Sequence, residues 1–328
     1  MRTSMLPRIL LPMLLAACCA TVEAADVTVE VAEGITLLPG QLQANHSPDG
    51  NSLIIRGNDG AVVVDTGRGN AHTQELIDLV AGLGVPLVGV VNSHWHLDHI
   101  GGNAQFRARW PGLHVYAHPS LDNALDGFHA DYRKQLESYV PTLEAGSTER
   151  KRYQAELDLL KLDRQLAETD PVRESTTLDL GGRILEVHAS AHSVTEGDLW
   201  MFDPSTRTLV AGDLVTLPVP MFDSACPEGW KRALGELSEV RFKRLVPGHG
   251  APMTPAAFAT YRKAFDRLLE CSAASADSKT CIDGWFADAK PLVSKADESY
   301  GRTLLAYYID GFIKPDAAGR KRWCPKAD

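Results

Sequence analysis

The stretch His94-Trp95-His96-Leu97-Asp98-His99 places three histidines and one aspartate within six residues. An apolar run at residues 87–91 precedes it and predicts a buried strand, while Gly101-Gly102 follows it and predicts a loop that opens a helix. The string therefore lies at the carboxyl end of a strand, where α/β proteins commonly assemble their ligand sites. Imidazole and carboxylate groups are ligands that suit zinc. The stretch predicts a metal site in an α/β protein.

Three further donors, His192, Asp213 and His249, complete the candidate set. The seven side chains can be divided into two sets of three that share one bridging carboxylate, with a hydroxide held between two metal ions. In an extended backbone, His94 and His96 face the same side, whereas Asp98 and His99 lie past the bend and can face a neighbouring ion. This division predicts a hydrolase that uses two metal ions.

The order of these motifs resembles the metallo-β-lactamase superfamily over about residues 35–255. Besides the HxHxDH string, the resemblance rests on Gly60–Gly67, a strand that ends in Asp65, on the segment Ala211-Gly212-Asp213, and on Pro247-Gly248-His249. It implies an α/β fold of four layers, αββα, in which two sheets lie face to face between helices. It also implies the metal ligands, with His94, His96 and His192 on one zinc ion, Asp98, His99 and His249 on the second, and Asp213 between them.

Two aspartates have further predicted roles. Asp98 is expected to hold or accept the proton of the attacking water, although metal coordination competes with that role. Asp65 is expected to hydrogen-bond the ligand loops and orient them, and the alternative is an ordinary turn aspartate at a strand end. An aspartate at position 213 resembles glyoxalase II and lactonases, whereas a cysteine there would resemble one branch of true β-lactamases.

The remaining histidines receive weaker predictions. His46 lies in a turn-rich loop that the family places near the cleft, so it is a candidate for substrate contact, with a solvated loop position as the alternative. His188 occupies an alternating, strand-like run and is assigned to the sheet. The others are given no role: His72, His114, His118 and His129.

Two segments are expected to shape the cleft. Residues 119–170 predict an inserted pair of helices interrupted by Pro141 and Gly146, which act either as a lid or as outer packing. The proline-rich loop 217–222 is expected to expose apolar side chains near the metal ions. Residues 256–328 predict a helical C-terminal extension packed on the catalytic domain, which itself covers residues 25–255.

The first residues predict a compartment. Arg2 and Arg8, a short apolar stretch and small residues up to Ala24 are typical of a secretory signal peptide over residues 1–24. The protein is therefore expected to be periplasmic or secreted. Alternatively, Leu15-Ala16-Ala17-Cys18 resembles a bacterial lipobox, and lipidation at Cys18 would anchor the protein to a membrane.

The cysteines agree with export. The four that follow the leader, Cys226, Cys271, Cys281 and Cys324, permit two disulfides in an oxidising compartment. Of the three possible connectivities we predict Cys271 with Cys281, which closes a short loop, and Cys226 with Cys324.

The predicted function is hydrolysis of an ester, thioester, lactone or lactam bond in a small molecule. The formal charge of −9 argues against a nucleic-acid partner. The alternatives are a mononuclear iron dioxygenase that acts on a persulfide, β-lactamase activity as the main role, and a non-catalytic binding protein. A narrower resemblance, to the zinc metallohydrolases associated with bacterial quinoprotein systems, rests on Phe222-Asp223 and Gly229-Trp230.

Overall fold

A computed structural model describes residues 28–43, 46–274 and 277–325. The predicted signal peptide and Cys18 lie outside the described residues. Within them, the strands form two sheets. The first contains β1 (Val29–Ala32), β2 (Ile35–Leu38), β3 (Ser52–Arg56), β4 (Ala61–Val64), β5 (Leu87–Val91), β6 (Val115–Ala117) and β7 (Asp170–Pro171). The second contains β8 (Thr176–Asp179), β9 (Ile184–Ala191), β10 (Gly197–Asp203), β11 (Thr208–Thr216) and β12 (Arg244–His249).

The first sheet follows the chain order from β1 to β7. Strands β1 to β4 are antiparallel, and β4 to β7 are parallel. The second sheet has the order β12-β11-β10-β9-β8 and is antiparallel except for the parallel pair β11 and β12. Parallel pairs align the carboxyl ends of their strands, where ligand sites commonly form. The HxHxDH string follows β5, Asp213 lies within β11, and His249 is the last residue of β12.

The strand β4 explains the layers of the fold. All four of its residues are buried, and alternate side chains point to opposite faces of the sheet. Val62 and Val64 pack into a core shared with Leu199 and Val246 of the second sheet. Val63 packs on the other face in a core with helical residues such as Leu76. A strand buried on both faces needs a layer on each side, which produces the αββα arrangement expected from the sequence.

The helices are distributed around these sheets, with the following bounds: α1 (Ala71–Gly82), α2 (Leu97–Ile100), α3 (Asn103–Arg109), α4 (Ser120–Ala124), α5 (Ala130–Tyr139), α6 (Thr148–Leu160), α7 (Pro227–Glu239), α8 (Pro255–Ala273), α9 (Ser278–Asp288), α10 (Glu298–Tyr308) and α11 (Ala318–Trp323). A π-helical turn at Leu125–His129 joins α4 to α5. Between α5 and α6, Gly146 adopts a positive φ of 81° and Ser147 caps α6 by accepting the Arg150 N–H.

The helices between β6 and β7 have a core of their own. Trp95 and Leu97, from the HxHxDH string, pack in it with Leu121, Leu136 and Leu157. The segment therefore lies directly against the string.

The C-terminal helices belong to the core on the outer face of the second sheet. Trp285 and Ile309 are buried there with Trp230 of α7 and Phe265 of α8. Two disulfides, Cys226–Cys324 and Cys271–Cys281, join the cysteines in the pairs predicted from the sequence. In the part of the chain that is described, no helix has the length and apolar character required to cross a membrane.

Candidate metal centre

The HxHxDH string turns sharply after β5. His96 has an extended backbone and caps the short helix α2, which contains Asp98 and His99. The turn packs tightly on the β4–α1 loop, because a Cβ atom at Gly102 would lie 2.3 Å from the Thr66 carbonyl oxygen. Glycine at this position therefore allows the close approach that brings the string against the end of β4.

Asp213, at the centre of β11, lies among the predicted ligands. One of its oxygens, Oδ1, is 3.2 Å from His99 Nε2 and 3.6 Å from His249 Nε2, and the other, Oδ2, is 3.7 Å from His94 Nε2. Asp98 Oδ2 is 3.2 Å from His249 Nε2. Donor atoms of His94, His99 and Asp213, and likewise of Asp98, His99 and His249, lie within 4.8 Å of one another. The geometry brings these five side chains to one point.

Asp65 fixes the orientation of two of the histidines. Its Oδ2 accepts the His99 Nδ1 proton at 2.8 Å and the Ser93 hydroxyl proton at 2.7 Å. Because Ser93 Oγ already donates to Asp65, its 3.0 Å contact with His94 Nδ1 requires the ring nitrogen to donate. Nδ1 is therefore the protonated nitrogen that binds the protein in both histidines, and Nε2, which faces Asp213, is the nitrogen available to a metal ion.

Ser224 fixes the opposite tautomer at His96. The Ser224 hydroxyl donates to the Val194 carbonyl at 2.9 Å, so at 2.7 Å it accepts the proton of His96 Nε2. The lone pair of His96 is then on Nδ1. The rings of His96 and His94 are adjacent, with centroids 4.5 Å apart. Sequence analysis did not identify Ser224, since it lies 128 residues from its partner.

His192 lies on the β9–β10 turn and has a positive φ of 51°, a conformation that histidine adopts more readily than most residues. The turn is held by Asp198, which accepts a 2.7 Å hydrogen bond from Ser193 Oγ. The Nδ1 atom of His192 is buried and has no hydrogen-bond partner among the described residues. His96 and His192 are outside the two groups of donors that lie within 4.8 Å of one another.

The charges at this point favour a cation. Burial alone would lower the pKa of His99, but the carboxylates of Asp213, Asp65 and Asp98 outweigh it and hold that pKa well above its ordinary value. Burial lowers the pKa of His94 well below its ordinary value, and the neighbouring His99 and His96 rings lower it further. The carboxylates thus create a field that a metal cation can satisfy in place of a proton.

The donor set fits a metal for a second reason. Buried polar atoms without a hydrogen-bond partner are rare in proteins. Four such atoms converge here among the described residues: His94 Nε2, His99 Nε2, His249 Nε2 and Asp213 Oδ1. A buried polar atom without a partner costs about 1–3 kcal/mol. Metal coordination would satisfy all four atoms at once.

A cleft of about 390 Å³ opens at these donors. Its walls include Asp98 and Asp213, and also Arg68, His129 and Glu156, to which sequence analysis gave no role in the site. Each of the three lies on a different segment and lacks a motif that could have identified it. His46, the predicted substrate contact, also lines this cleft.

The expectation for the loop 217–222 is only partly met. Met221 lines the cleft, but Val219 and Phe222 are fully buried. The Phe222 ring packs 4.8 Å from Trp230, and the Trp285 indole donates to the Pro218 carbonyl at 3.0 Å. The prediction that this loop exposes its apolar side chains near the metal ions is wrong for Val219 and Phe222, since the C-terminal helices bury them.

Comparisons with known proteins agree with this fold. A sequence profile of the metallo-beta-lactamase superfamily matches residues 48–270. Among solved structures, a metallo-beta-lactamase family protein from Thermus thermophilus has a TM-score of 0.56 at 17% identity, over 84% of this chain and 93% of that chain. A metallo-beta-lactamase from Pontibacter korlensis has a TM-score of 0.54 at 20% identity, over 73% of this chain and 98% of its own. The protein has the α/β fold of these proteins, and it belongs to the metallo-beta-lactamase superfamily.

Similar curated proteins include hydroxyacylglutathione hydrolases. The one from Synechococcus sp. (strain JA-3-3Ab) is 37% identical over 75 residues, which are 23% of this chain and 25% of that protein. The one from Gloeobacter violaceus is 39% identical over 57 residues, 17% of this chain and 21% of that protein. The chain therefore aligns with about a quarter or less of the length of these relatives.

Proposed function

We propose that the protein is an exported dinuclear zinc hydrolase that cleaves an ester, thioester, lactone or lactam bond in a small molecule. The observation that carries this proposal is the convergence of buried, unpartnered donor atoms from His94, His99, His249 and Asp213 within the described part of the chain. The similarity to hydroxyacylglutathione hydrolases, whose names describe hydrolysis of a small molecule, supports the reaction class.

The proposed ligands are divided between two ions. His94, His96 and His192 would hold one ion, Asp98, His99 and His249 the other, with Asp213 between them. Two zinc ions, when bound, supply an ionised water near neutral pH and polarise the substrate carbonyl.

The protein's own contribution is orientation. Asp65 and Ser93 hold the rings of His99 and His94 with their Nε2 atoms facing Asp213, and Ser224 holds His96 with its Nδ1 atom free. Fixing these tautomers before a cation arrives reduces the reorganisation that binding requires.

Asp98 is the proposed proton acceptor as well as a ligand. Its Oδ1 lies 3.7 Å from Arg68 Nη2, and its Oδ2 faces His249. Burial alone would raise the pKa of Asp98, but the rings of His99 and His249 and the Arg68 guanidinium hold it well below its ordinary value. Asp98 is therefore a carboxylate at neutral pH, the form that can bind a metal ion or accept a proton.

The proposed compartment is the periplasm or the exterior. The two disulfides support it, because such bonds persist in oxidising compartments. Mass spectrometry of the purified protein from its native host distinguishes a first residue at Ala25 from a lipidated Cys18.

Elemental analysis combined with a substrate panel tests the proposed function. The panel contains chromogenic esters, thioesters, lactones and a cephalosporin. We expect about two zinc ions per chain and turnover of at least one ester or thioester. About one iron per chain would instead favour the persulfide dioxygenase, and preference for the cephalosporin would favour a β-lactamase.

Asp213→Ala tests the bridging position. We expect metal content and activity to fall together, the activity by about 10³-fold, the scale on which the loss of one charge-stabilising group acts. Asp203→Ala is the matched control, because Asp203 is also a buried carboxylate but pairs with Arg183. This control should lose stability and retain its metal. Unchanged metal content in Asp213→Ala would contradict the assignment.

A further inference from the structure

A second cavity, of about 720 Å³, adjoins the cleft at the metal centre. The two spaces share wall residues, including Arg68, Arg152 and Glu156. The side cavity continues between the β4–α1 loop and the helix α6, where Ala155, Leu159 and Leu162 form its apolar part. A molecule bound at the metal centre can therefore extend past the shared residues into a larger, less polar space.

The two arginines at the junction differ in their partners. The Arg68 guanidinium binds other groups of the protein: its Nε donates to the Pro48 carbonyl at 2.7 Å, and its Nη1 lies 3.4 Å from Glu156 Oε1. Arg152, by contrast, forms no salt bridge and no side-chain hydrogen bond with the residues that the structure describes. Its guanidinium carbon lies 4.6 Å from the centre of the Tyr153 ring. Arg152 is thus a half-buried cation whose hydrogen-bond donors remain available.

We infer that Arg152 binds a carboxylate of the substrate, and that an apolar chain of the same molecule occupies the side cavity. The inference rests on the proposed hydrolytic function and names the class of its substrate: a small carboxylic acid with an aliphatic portion, whose hydrolysable bond reaches the metal centre. The planar guanidinium matches a carboxylate through two parallel hydrogen bonds.

The charges at the junction favour a singly charged group over a phosphate. Glu156 is buried there, and its carboxylate is shared among the Ser47 and Tyr132 hydroxyls and Arg68. A second negative charge on the ligand would be repelled by Glu156, and among the described wall residues there is no second free cation to compensate for it.

Calorimetry with octanoate tests the inference without requiring turnover. We expect octanoate to bind the intact protein, and Arg152→Gln to weaken binding about tenfold or more, the range for a hydrogen bond to a charged group. Lys151→Gln is the matched control, because Lys151 is the exposed neighbour on the same helix and lines neither cavity. Equal affinity of the wild type and Arg152→Gln would overturn the role of Arg152.

Three further ligand and variant comparisons test the remaining parts. Ala155 is an exposed residue on the cavity wall, so Ala155→Phe should fill the cavity without disturbing the core. We expect Ala155→Phe to weaken the binding of octanoate and to leave the binding of acetate unaffected. Unchanged octanoate binding would overturn the placement of the ligand's apolar chain in the side cavity. Octyl phosphate should bind more weakly than octanoate. Tighter binding of octyl phosphate would overturn the inferred preference for a carboxylate.

Turnover separates this inference from the proposed function. If octanoate binding depends on Arg152 and Ala155 while no panel substrate is hydrolysed, the binding site stands and the hydrolytic function fails. If a neutral ester is hydrolysed equally by the wild type and Arg152→Gln, and octanoate does not inhibit it, the function stands and the inference fails.

Discussion

Two walls of the same cleft are built by different means. The metal-bearing wall, residues 92–103 with Asp65, is held by buried polar contacts such as Asp65 with Ser93 and His99. The helical wall, residues 120–165 with the C-terminal Trp323, is held largely by apolar packing, in which Trp323 lies 5.9 Å from the Phe128 ring and 6.2 Å from Trp95. The contrast teaches that directional hydrogen bonds orient the candidate metal ligands, whereas apolar packing between helices sets the shape of the substrate space.

Removing the bridge at the end of the helical wall should have the largest effect on stability. Cys226–Cys324 closes a segment of 98 residues, and Cys271–Cys281 one of 10. The chain-entropy relation gives a loss of about 5 kcal/mol for the longer loop and about 3 kcal/mol for the shorter. Urea denaturation of Cys324→Ser and Cys271→Ser, without reductant, measures both losses.

The metal content of Cys324→Ser tests whether the metal-bearing wall is independent of the helical wall. We expect Cys324→Ser to keep its metal content, because none of the proposed ligands is hydrogen-bonded to the described residues of the tail. Loss of metal in Cys324→Ser at a temperature where the protein remains folded would show that the two walls are not independent.

Asp65→Asn is expected to weaken metal binding by about 10–100-fold, the usual range for groups that orient metal ligands. Asparagine tolerates the left-handed backbone at this position, where φ is 58°, so the substitution changes the hydrogen bonds with little backbone strain. Its amide can no longer accept all three protons from Ser93 and His99. Competition with a zinc chelator measures the change.

The matched variant on the helical wall is Tyr132→Phe. Tyr132 donates its hydroxyl proton to Glu156, and within the described part of the chain it forms no hydrogen bond with a proposed ligand. Its zinc affinity should remain that of the wild type. Equal affinities for Asp65→Asn and the wild type would contradict the orienting role of Asp65.

The same contrast explains what the sequence could predict. The HxHxDH string places four candidate donors within six residues, and the buried strand before it supplies the α/β context, so local patterns indicated both the fold and the metal chemistry. Arg68 and Glu156 are 88 residues apart and meet only through the fold. The proline-rich loop after Asp213 predicts an exposed Phe222 near the ions, and this prediction fails because helices much later in the chain bury that side chain. Arg68 and Glu156 therefore leave no local pattern in the sequence that marks them as residues of the substrate space.

His129 lies where the two walls meet, and sequence analysis gave it no role. Its Nε2–H donates to the Trp95 carbonyl at 2.9 Å, while its Nδ1 is buried without a partner among the described residues. Burial lowers the pKa of His129 to about 4; the Trp95 carbonyl opposes that shift, and His96 and Arg68 add to it. In the unfolded chain the pKa would be about 6.5.

This difference makes the contact between the walls sensitive to acid. Between about pH 6.5 and about pH 4 the unfolded state binds the proton more tightly than the folded state, so the free energy of unfolding falls as the pH falls. From about pH 7 to about pH 5 the loss attributable to His129 is about 2 kcal/mol. In His129→Gln, whose amide can still donate to Trp95, that part of the pH dependence should disappear. Urea denaturation of both proteins at the two pH values measures it, and parallel losses would mean that His129 is protonated as readily in the folded protein as in the unfolded chain.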